Sequence, residues 1–224
     1  MTNSFRLGPD GIYRCDGFQE FIWQKHGFGT RDANPHADIT LKQVHSAKVL
    51  NVNGWKSQHR QEQGDALITD EPHKSIGVRT ADCVPILLLD CKNRSIAAVH
   101  AGWRGTADEI VKTTIEQMAN DFGTSPRDIY AAMGPCIRGC CYEVGPEVAA
   151  RLRAWFPEWA VEDDMARKVD LADANRRQMN AAGVNAAHIF DCELCTVCQS
   201  GQFFSYRREP ENPGRMIAAI SRLS

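Results

Sequence analysis

Apolar residues fall along this chain in short runs broken by polar turns, the pattern of strands more than of long amphipathic helices. Runs of β type lie at Phe18–Trp23, Val49–Val52, Ala66–Thr69, Ile76–Arg79, Val84–Leu89, Ile96–Val99, Ile129–Met133, His188–Phe190, Phe203–Tyr206 and Met216–Ile220. The clearest helical stripe follows Thr106, where Ala107, Ile110, Val111, Ile115, Met118 and Phe122 share one face. Glu109, three residues after Thr106, predicts a capping box there, and Gly123 predicts the stop. Two more helices are predicted over Pro146–Phe156 and Leu171–Ala182, the second ended by Gly183. Strands that cluster, with helices between the clusters, predict an α+β fold of mixed β-sheet layers flanked by helices.

A length of 224 residues with 43% hydrophobic content can bury one sizeable core, so residues 1–224 are expected to form a single domain. No repeat or linker composition interrupts it, and Glu209–Gly214 (EPENPG) predicts an exposed turn. A formal net charge of −2 offers no basic field for nucleic acid or anionic lipid, which favours small-molecule partners. Met1–Asp10 carries no apolar run after its charges and Val84–Leu89 is too short to span a bilayer, so a cytoplasmic protein is expected. In that compartment nine scattered cysteines are expected to be reduced thiols, metal ligands or a nucleophile, not disulfides.

The chemistry concentrates between Thr80 and Thr106. Two apolar runs there flank the polar turn Asp90–Arg94 and predict a β-hairpin. With the turn centred between Cys91 and Lys92, Cys83 falls opposite His100 on one face, with Cβ atoms roughly 5 Å apart. Such a pair suits metal ligation, a nucleophile with its base, or a structural contact at the end of the hairpin. His45, on the LKQVHSAKV run, would complete a His2Cys set that leaves the fourth position of tetrahedral zinc open, as catalytic sites do. Ala101–Thr106 (AGWRGT) then leads into the predicted helix, where backbone N–H groups and the Arg104 guanidinium could seat an anion; alternatively Trp103 packs and Arg104 is solvated. Cys192, Cys195 and Cys198 form two overlapping C-x2-C spacings, a metal pattern with His188 the nearest fourth ligand, and Cys136, Cys140 and Cys141 form a second group; a second metal on the C-x2-C pattern is the lesser reading, and the six are otherwise treated as reduced thiols.

An ordered series of motifs, HGFGTR at His26–Arg31, KQVHSAKV at Lys42–Val49, GDALIT at Gly64–Thr69, TADCVPILL, AAVHAGWRGT, GPCIRGCCYEVG and FFSYRR, resembles the YfiH/YlmD-type family over nearly the whole chain. Long labelled polyphenol oxidases or laccases, these proteins are now regarded as purine nucleoside phosphorylases. The resemblance implies a fold similar to that of some cysteine hydrolases and zinc held by His45, Cys83 and His100. It also implies phosphorolysis of purine nucleosides, methylthioadenosine included, with hydrolytic deamination of adenosine alongside. Zinc acts as a Lewis acid or lowers the pKa of bound water towards about 7, which accounts for deamination. For phosphorolysis Arg104 is the candidate phosphate ligand. Asp82 and Asp65 are candidates to hold a ligand or accept a proton, and His26 and Arg31 are candidate substrate contacts. After HGFGTR the sequence departs from the family, since only DANPHADIT precedes the LKQVH run where a longer Gly-rich stretch is usual. Three rivals stand beside this expectation: a metal-free hydrolase with Cys83 as nucleophile, a copper-dependent polyphenol oxidase, and a non-catalytic zinc-stabilised binding protein. Copper is possible for a Cys/His set, but the seven histidines include none of the H-x-H pairs a multinuclear copper centre would want.

Overall fold

The computed structural model describes residues 4–56, 61–159, 166–211 and 214–224. In chain order the elements are β1 (Phe5–Leu7), β2 (Tyr13–Cys15), β3 (Gln24–Phe28), β4 (Val49–Asn51), β5 (Ala66–Thr69), β6 (Lys74–Thr80), β7 (Val84–Asp90), β8 (Ile96–Ala101), α1 (Trp103–Ala107), α2 (Ile110–Phe122), β9 (Ile129–Met133), β10 (Glu143–Val144), α3 (Pro146–Leu152), β11 (Arg167–Lys168), α4 (Leu171–Ala181), β12 (Ile189–Asp191) and β13 (Met216–Arg222). They build a five-stranded antiparallel sheet, β1-β2-β3-β13-β6, and a six-stranded sheet, β12-β9-β7-β8-β5-β4, with β10 and β11 paired alone. The larger sheet is mixed, because β12 runs parallel to β9 and β4 parallel to β5. The α+β architecture is thus the expected one.

The larger sheet is the middle layer. On β7 and β8, Leu87, Leu89, Ile96 and Ala98 pack towards the five-stranded sheet, whereas Ile86, Leu88, Ala97 and Val99 pack with α2 and α4. A strand covered on both faces cannot alternate apolar with polar residues, which is why Val84–Asp90 is buried at every position. No helix among the described residues is long and apolar enough to cross a membrane.

Several local expectations need correction. Neither Phe18–Trp23 nor Phe203–Tyr206 is a strand: Phe18 ends a 3-10 helix and its carbonyl accepts from the N–H of Phe21, while residues 203–205 lead into a turn from Tyr206 that Glu209 N–H closes on the Ser205 carbonyl. Phe18, Phe21, Trp23, Phe203 and Phe204 still reach the inter-sheet core, so the burial that made these runs look like strands is real although neither run joins a sheet. The helix expected after Thr106 is two helices. Thr106 lies inside α1, whose N-cap is Gly102, and Glu109, at φ 60°, adopts the left-handed conformation as N-cap of α2 with no side-chain cap bond. Gly123 does end α2, at φ 68°. Asp170 caps α4 by accepting from the N–H groups of Ala172 and Asp173. Of the turn expected at Glu209–Gly214, Asn212 and Pro213 lie outside the described residues.

The hairpin register differs from the expected one by two. Pro85, not Cys83, stands opposite His100, and Asp90 N–H bonds the Ser95 carbonyl. The Asp90 carboxylate accepts from the N–H groups of Lys92 and Asn93 and so centres the turn one residue later than the pattern suggested. Side chains repeat with period two along a strand, so a shift of two preserves the face. Cys83 therefore remains on the side of the sheet that carries His100, diagonally placed, one residue before β7 begins.

Candidate functional site

His100 stands near the end of β8 on the face turned towards the five-stranded sheet. Continuing the β5–β8 register by one step puts Asp65 directly across from it, and His100 N–H donates to the Asp65 carbonyl at 2.7 Å. The side chains meet as well, with His100 Nδ1 donating to Asp65 Oδ1 at 2.9 Å. The bond at Nδ1 leaves Nε2 as the ring atom free for a ligand. Asp65, fully buried, also accepts from the N–H groups of Val44, His45 and Ser46 and from Ser46 Oγ. These bonds fold the segment around His45 into a tight loop with His45 itself at φ 59°. One carboxylate thereby positions two of the three expected ligands.

The third, Cys83, is aimed by its neighbour. Asp82 sits at φ 92°, a conformation that L-residues adopt only when their surroundings impose it. Its carboxylate accepts from Thr196 Oγ1 at 2.6 Å, Ser205 Oγ at 3.0 Å and the Arg207 N–H at 2.7 Å. Both oxygens are engaged by the C-terminal loops, so Asp82 acts as an anchor for the turn that presents Cys83 and is not a free proton acceptor.

The ligand atoms of His45, Cys83 and His100 lie within 4.8 Å of one another. The His45 and His100 rings meet edge to face, 5.0 Å between centroids. Burial alone would raise the Cys83 thiol, but the charge of His100 and hydrogen bonds from His100 and His45 pull it down to about 6. Burial works the other way on His100, and the Cys83 thiolate together with Asp65 lifts it to about 9. Asp65, which burial would push up, is held down to about 2 by its bonds from His100 and Ser46. Gly102 leaves the space beside the set open: a Cβ there would stand 3.0 Å from Cys83 Sγ and 3.1 Å from His45 Cδ2. A borderline-soft donor set of two imidazoles and one thiolate, with one ring nitrogen already fixed and a glycine cradle, fits a divalent metal such as zinc.

These residues form the floor of a cavity of about 810 Å³. Lys42, Arg79, Arg104, Arg207 and Arg215 line it, against the single carboxylate of Asp82, so its walls carry positive charge. Arg104 is exposed, stacked on the Trp103 ring at 4.3 Å, and has no carboxylate partner among the described residues. It lines the cavity. The helix behind it does not serve as expected, because α1 is a single short turn and the long α2 starts beyond a break. Tyr142 and Tyr206 add aromatic surface; they, Lys42 and Arg207 lie within the quoted motifs GPCIRGCCYEVG, FFSYRR and KQVHSAKV but had been given no role in the site, and Arg79 and Arg215 lie outside those motifs. Apart from Lys42, which lies three residues before His45, they converge only through the fold.

Two expected contacts are elsewhere. His26 is buried in β3, where its Nε2 accepts the Cys15 N–H at 2.9 Å and its ring packs on Phe18. Burial, aided by the charge of Arg14, lowers its pKa to about 4, which keeps it neutral. Arg31 is spent on the C-terminal loop, donating to the Ser200 and Phe203 carbonyls and to Glu209 while covering Phe204. Neither lines the cavity. Cys192 and His188 are likewise apart: Cys192 is buried in the inter-sheet core and His188 stacks on Tyr130 at 3.9 Å.

Residues 28–223 match the family model described as multi-copper polyphenol oxidoreductase laccase. The chain is similar to a protein named purine nucleoside phosphorylase from Deinococcus radiodurans, 41% identical over 185 residues, which are 80% of this chain and 68% of that one. It is similar also to adenosine deaminase RL5 from an unknown prokaryotic organism, 42% identical over 198 residues, 82% of this chain and 74% of that one. Among solved structures, YlmD from Geobacillus stearothermophilus superposes with a TM-score of 0.87 at 29% identity, covering 99% of this chain and 100% of that chain.

Proposed function

This chain belongs to the multi-copper polyphenol oxidoreductase laccase family, alongside the YfiH and YlmD proteins, and from that premise we propose that it is a zinc-dependent purine nucleoside phosphorylase that also deaminates adenosine and cleaves methylthioadenosine. The observation that carries this is the convergence of His45, Cys83 and His100 at the floor of a cavity whose walls are cationic. Zinc bound there supplies a Lewis acid. The chain's own residues do the rest. Arg104, with no carboxylate partner among the described residues, seats phosphate by charge-assisted bonds. The rings of Trp103 and Tyr142 already carry the Arg104 and Arg207 guanidiniums, and the exposed Tyr206, which also lines the cavity, offers an aromatic face for a purine. Asp65 keeps the proton of His100 on Nδ1, and Asp82 keeps Cys83 turned to the floor. Zinc is preferred to copper because the donor set is a single His2Cys group and the chain has no H-x-H pair.

The Cys83–His100 pair by itself favours a second function, a metal-free hydrolase with a thiolate nucleophile, since His100 already draws the thiol down to about 6. Metal removal separates the two. Incubation with adenosine and phosphate should give adenine and ribose 1-phosphate together with inosine. Chelation, or Cys83→Ala, should abolish all three products, and zinc should restore them only in the chelated wild type. Activity that survives complete removal of metal would establish the thiolate mechanism instead.

A further inference from the structure

Four other cysteines converge outside the cavity. Cys140 and Cys141 follow β9, Cys195 and Cys198 follow β12, and the parallel pairing of those strands carries on into the loops through a bridge between Cys136 and Cys195. The pairing is closed by Cys136 N–H on the Leu194 carbonyl at 3.2 Å and Thr196 N–H on the Cys136 carbonyl at 3.0 Å. Sγ of Cys198 stands 3.7 Å from that of Cys140 and 3.4 Å from that of Cys141, which are 3.7 Å from each other. With Cys195 included, all four sulfurs fall within 4.8 Å of one another.

Zinc bound to four thiolates at about 2.3 Å in a tetrahedron sets neighbouring sulfurs about 3.8 Å apart. The observed spacing is close to that edge. A disulfide would join two sulfurs at about 2.05 Å and leave the other pair unused. An iron–sulfur cluster, in which thiolates bind different irons, needs sulfurs set wider than these. The setting also suits a metal–thiolate charge: the N–H groups of Cys198, Arg138 and Val197 are directed at the Sγ of Cys195, the buried member of the four. Arg138 ties one loop to Asp170 and Asp191, and Arg208 holds the other through the Thr196 and Val197 carbonyls. We propose that Cys140, Cys141, Cys195 and Cys198 bind a second zinc ion at a closed structural site. Four protein ligands leave no position for substrate. The ion instead fastens the loop that supplies Ile137 and Tyr142 to the cavity wall to the loop whose Thr196 holds Asp82.

Zinc content of chain purified under reducing conditions tests this. Wild type should carry about two ions and Cys83→Ala about one, and Cys83→Ala/Cys198→Ser should carry none. Cobalt(II) added to metal-stripped Cys83→Ala should give the intense visible and near-ultraviolet bands of a tetrahedral four-thiolate complex. On the same protein zinc should shield the exposed Cys140 and Cys198 from a thiol reagent; neither measurement depends on the folding of the double variant. Zinc-free Cys83→Ala, a cobalt complex without thiolate bands, or thiols equally reactive with and without zinc would each overturn the proposal. So would iron in place of zinc. A wild type with one zinc that Cys83→Ala leaves in place would uphold this site and refute the His45–Cys83–His100 centre.

Discussion

Asp65→Asn isolates what the buried carboxylate contributes, because the amide keeps the shape and removes the charge. Oδ1 of the asparagine can still accept from His45 N–H and His100 Nδ1, as Asp65 Oδ1 does at 2.9 Å in each case. The amide nitrogen would then take the place of Oδ2 and face Ser46 N–H, now 2.7 Å from that oxygen, and Val44 N–H at 3.3 Å. Donors would confront donors. An orphaned buried donor costs about 1–3 kcal/mol, and because Val44 is exposed and Ser46 only half-buried, the two N–H groups together are expected to cost about 1–3 kcal/mol of stability. That is a measurable share of the roughly 5–15 kcal/mol typical of a folded domain, yet leaves the variant foldable at low temperature. Zinc affinity should fall as well, by about 10–100-fold, as when other outer partners of a ligating histidine are removed. Urea unfolding of the metal-stripped protein would give the first quantity and competition with a chromophoric chelator the second. A stability loss under about 1 kcal/mol with unchanged zinc affinity would refute the role assigned to Asp65, since neither the loop nor the imidazole would then depend on its charge.

Arg104→Ala should weaken phosphorolysis about thirtyfold, ~2 kcal/mol for a lost charge-assisted contact, while deamination falls much less; kinetics of both reactions at measured zinc occupancy decide it, and equal losses would move the phosphate seat elsewhere. Gly102→Ala should leave the melting temperature of the metal-stripped protein nearly unchanged, because φ −76° and ψ 175° suit alanine. Its Cβ should nevertheless crowd Cys83 and His45 and weaken zinc about tenfold or more in chelator competition. His26 supplies a pH test. Folded, it stays neutral down to about 4, whereas the unfolded ring protonates near 6.5. The unfolded state therefore binds more protons between those values, and stability should be lost as pH falls through that window, at up to about 1.4 kcal/mol per unit and about 3 kcal/mol in total. Urea midpoints from pH 7 to 4.5 should fall more steeply in wild type than in His26→Gln, and parallel curves would show that the ring is not held neutral.

Much of the fold and the centre of the site could be read from the chain. Ala66–Thr69 and Ile129–Met133 are strands with the expected bounds, and Val84–Leu89 and Ile96–Val99 form the expected hairpin, because unbroken β-branched and aliphatic runs bounded by turns encode strands locally. Cys83 and His100 were legible as partners even though the register is off by two, since a period of two protects the face from an even shift. Other features depend on where distant segments come to rest. Cys140 and Cys198 are 58 residues apart, and the parallel β9–β12 pairing, which no local pattern specifies, brings their loops together. The same holds for Asp82, whose carboxylate partners lie 114 to 125 residues further on, and for Arg207 and Arg215, which enter the cavity from the C-terminal loops. His26 and Arg31 show the converse. Their motif is sharp, but the inter-sheet core takes one side chain and the C-terminal loop the other. Short-range patterning determined the strands and the face that carries the ligands; the packing of loops far apart in sequence decided which charges and thiols meet, because such contacts follow from the closure of the whole chain and leave no periodic trace along it.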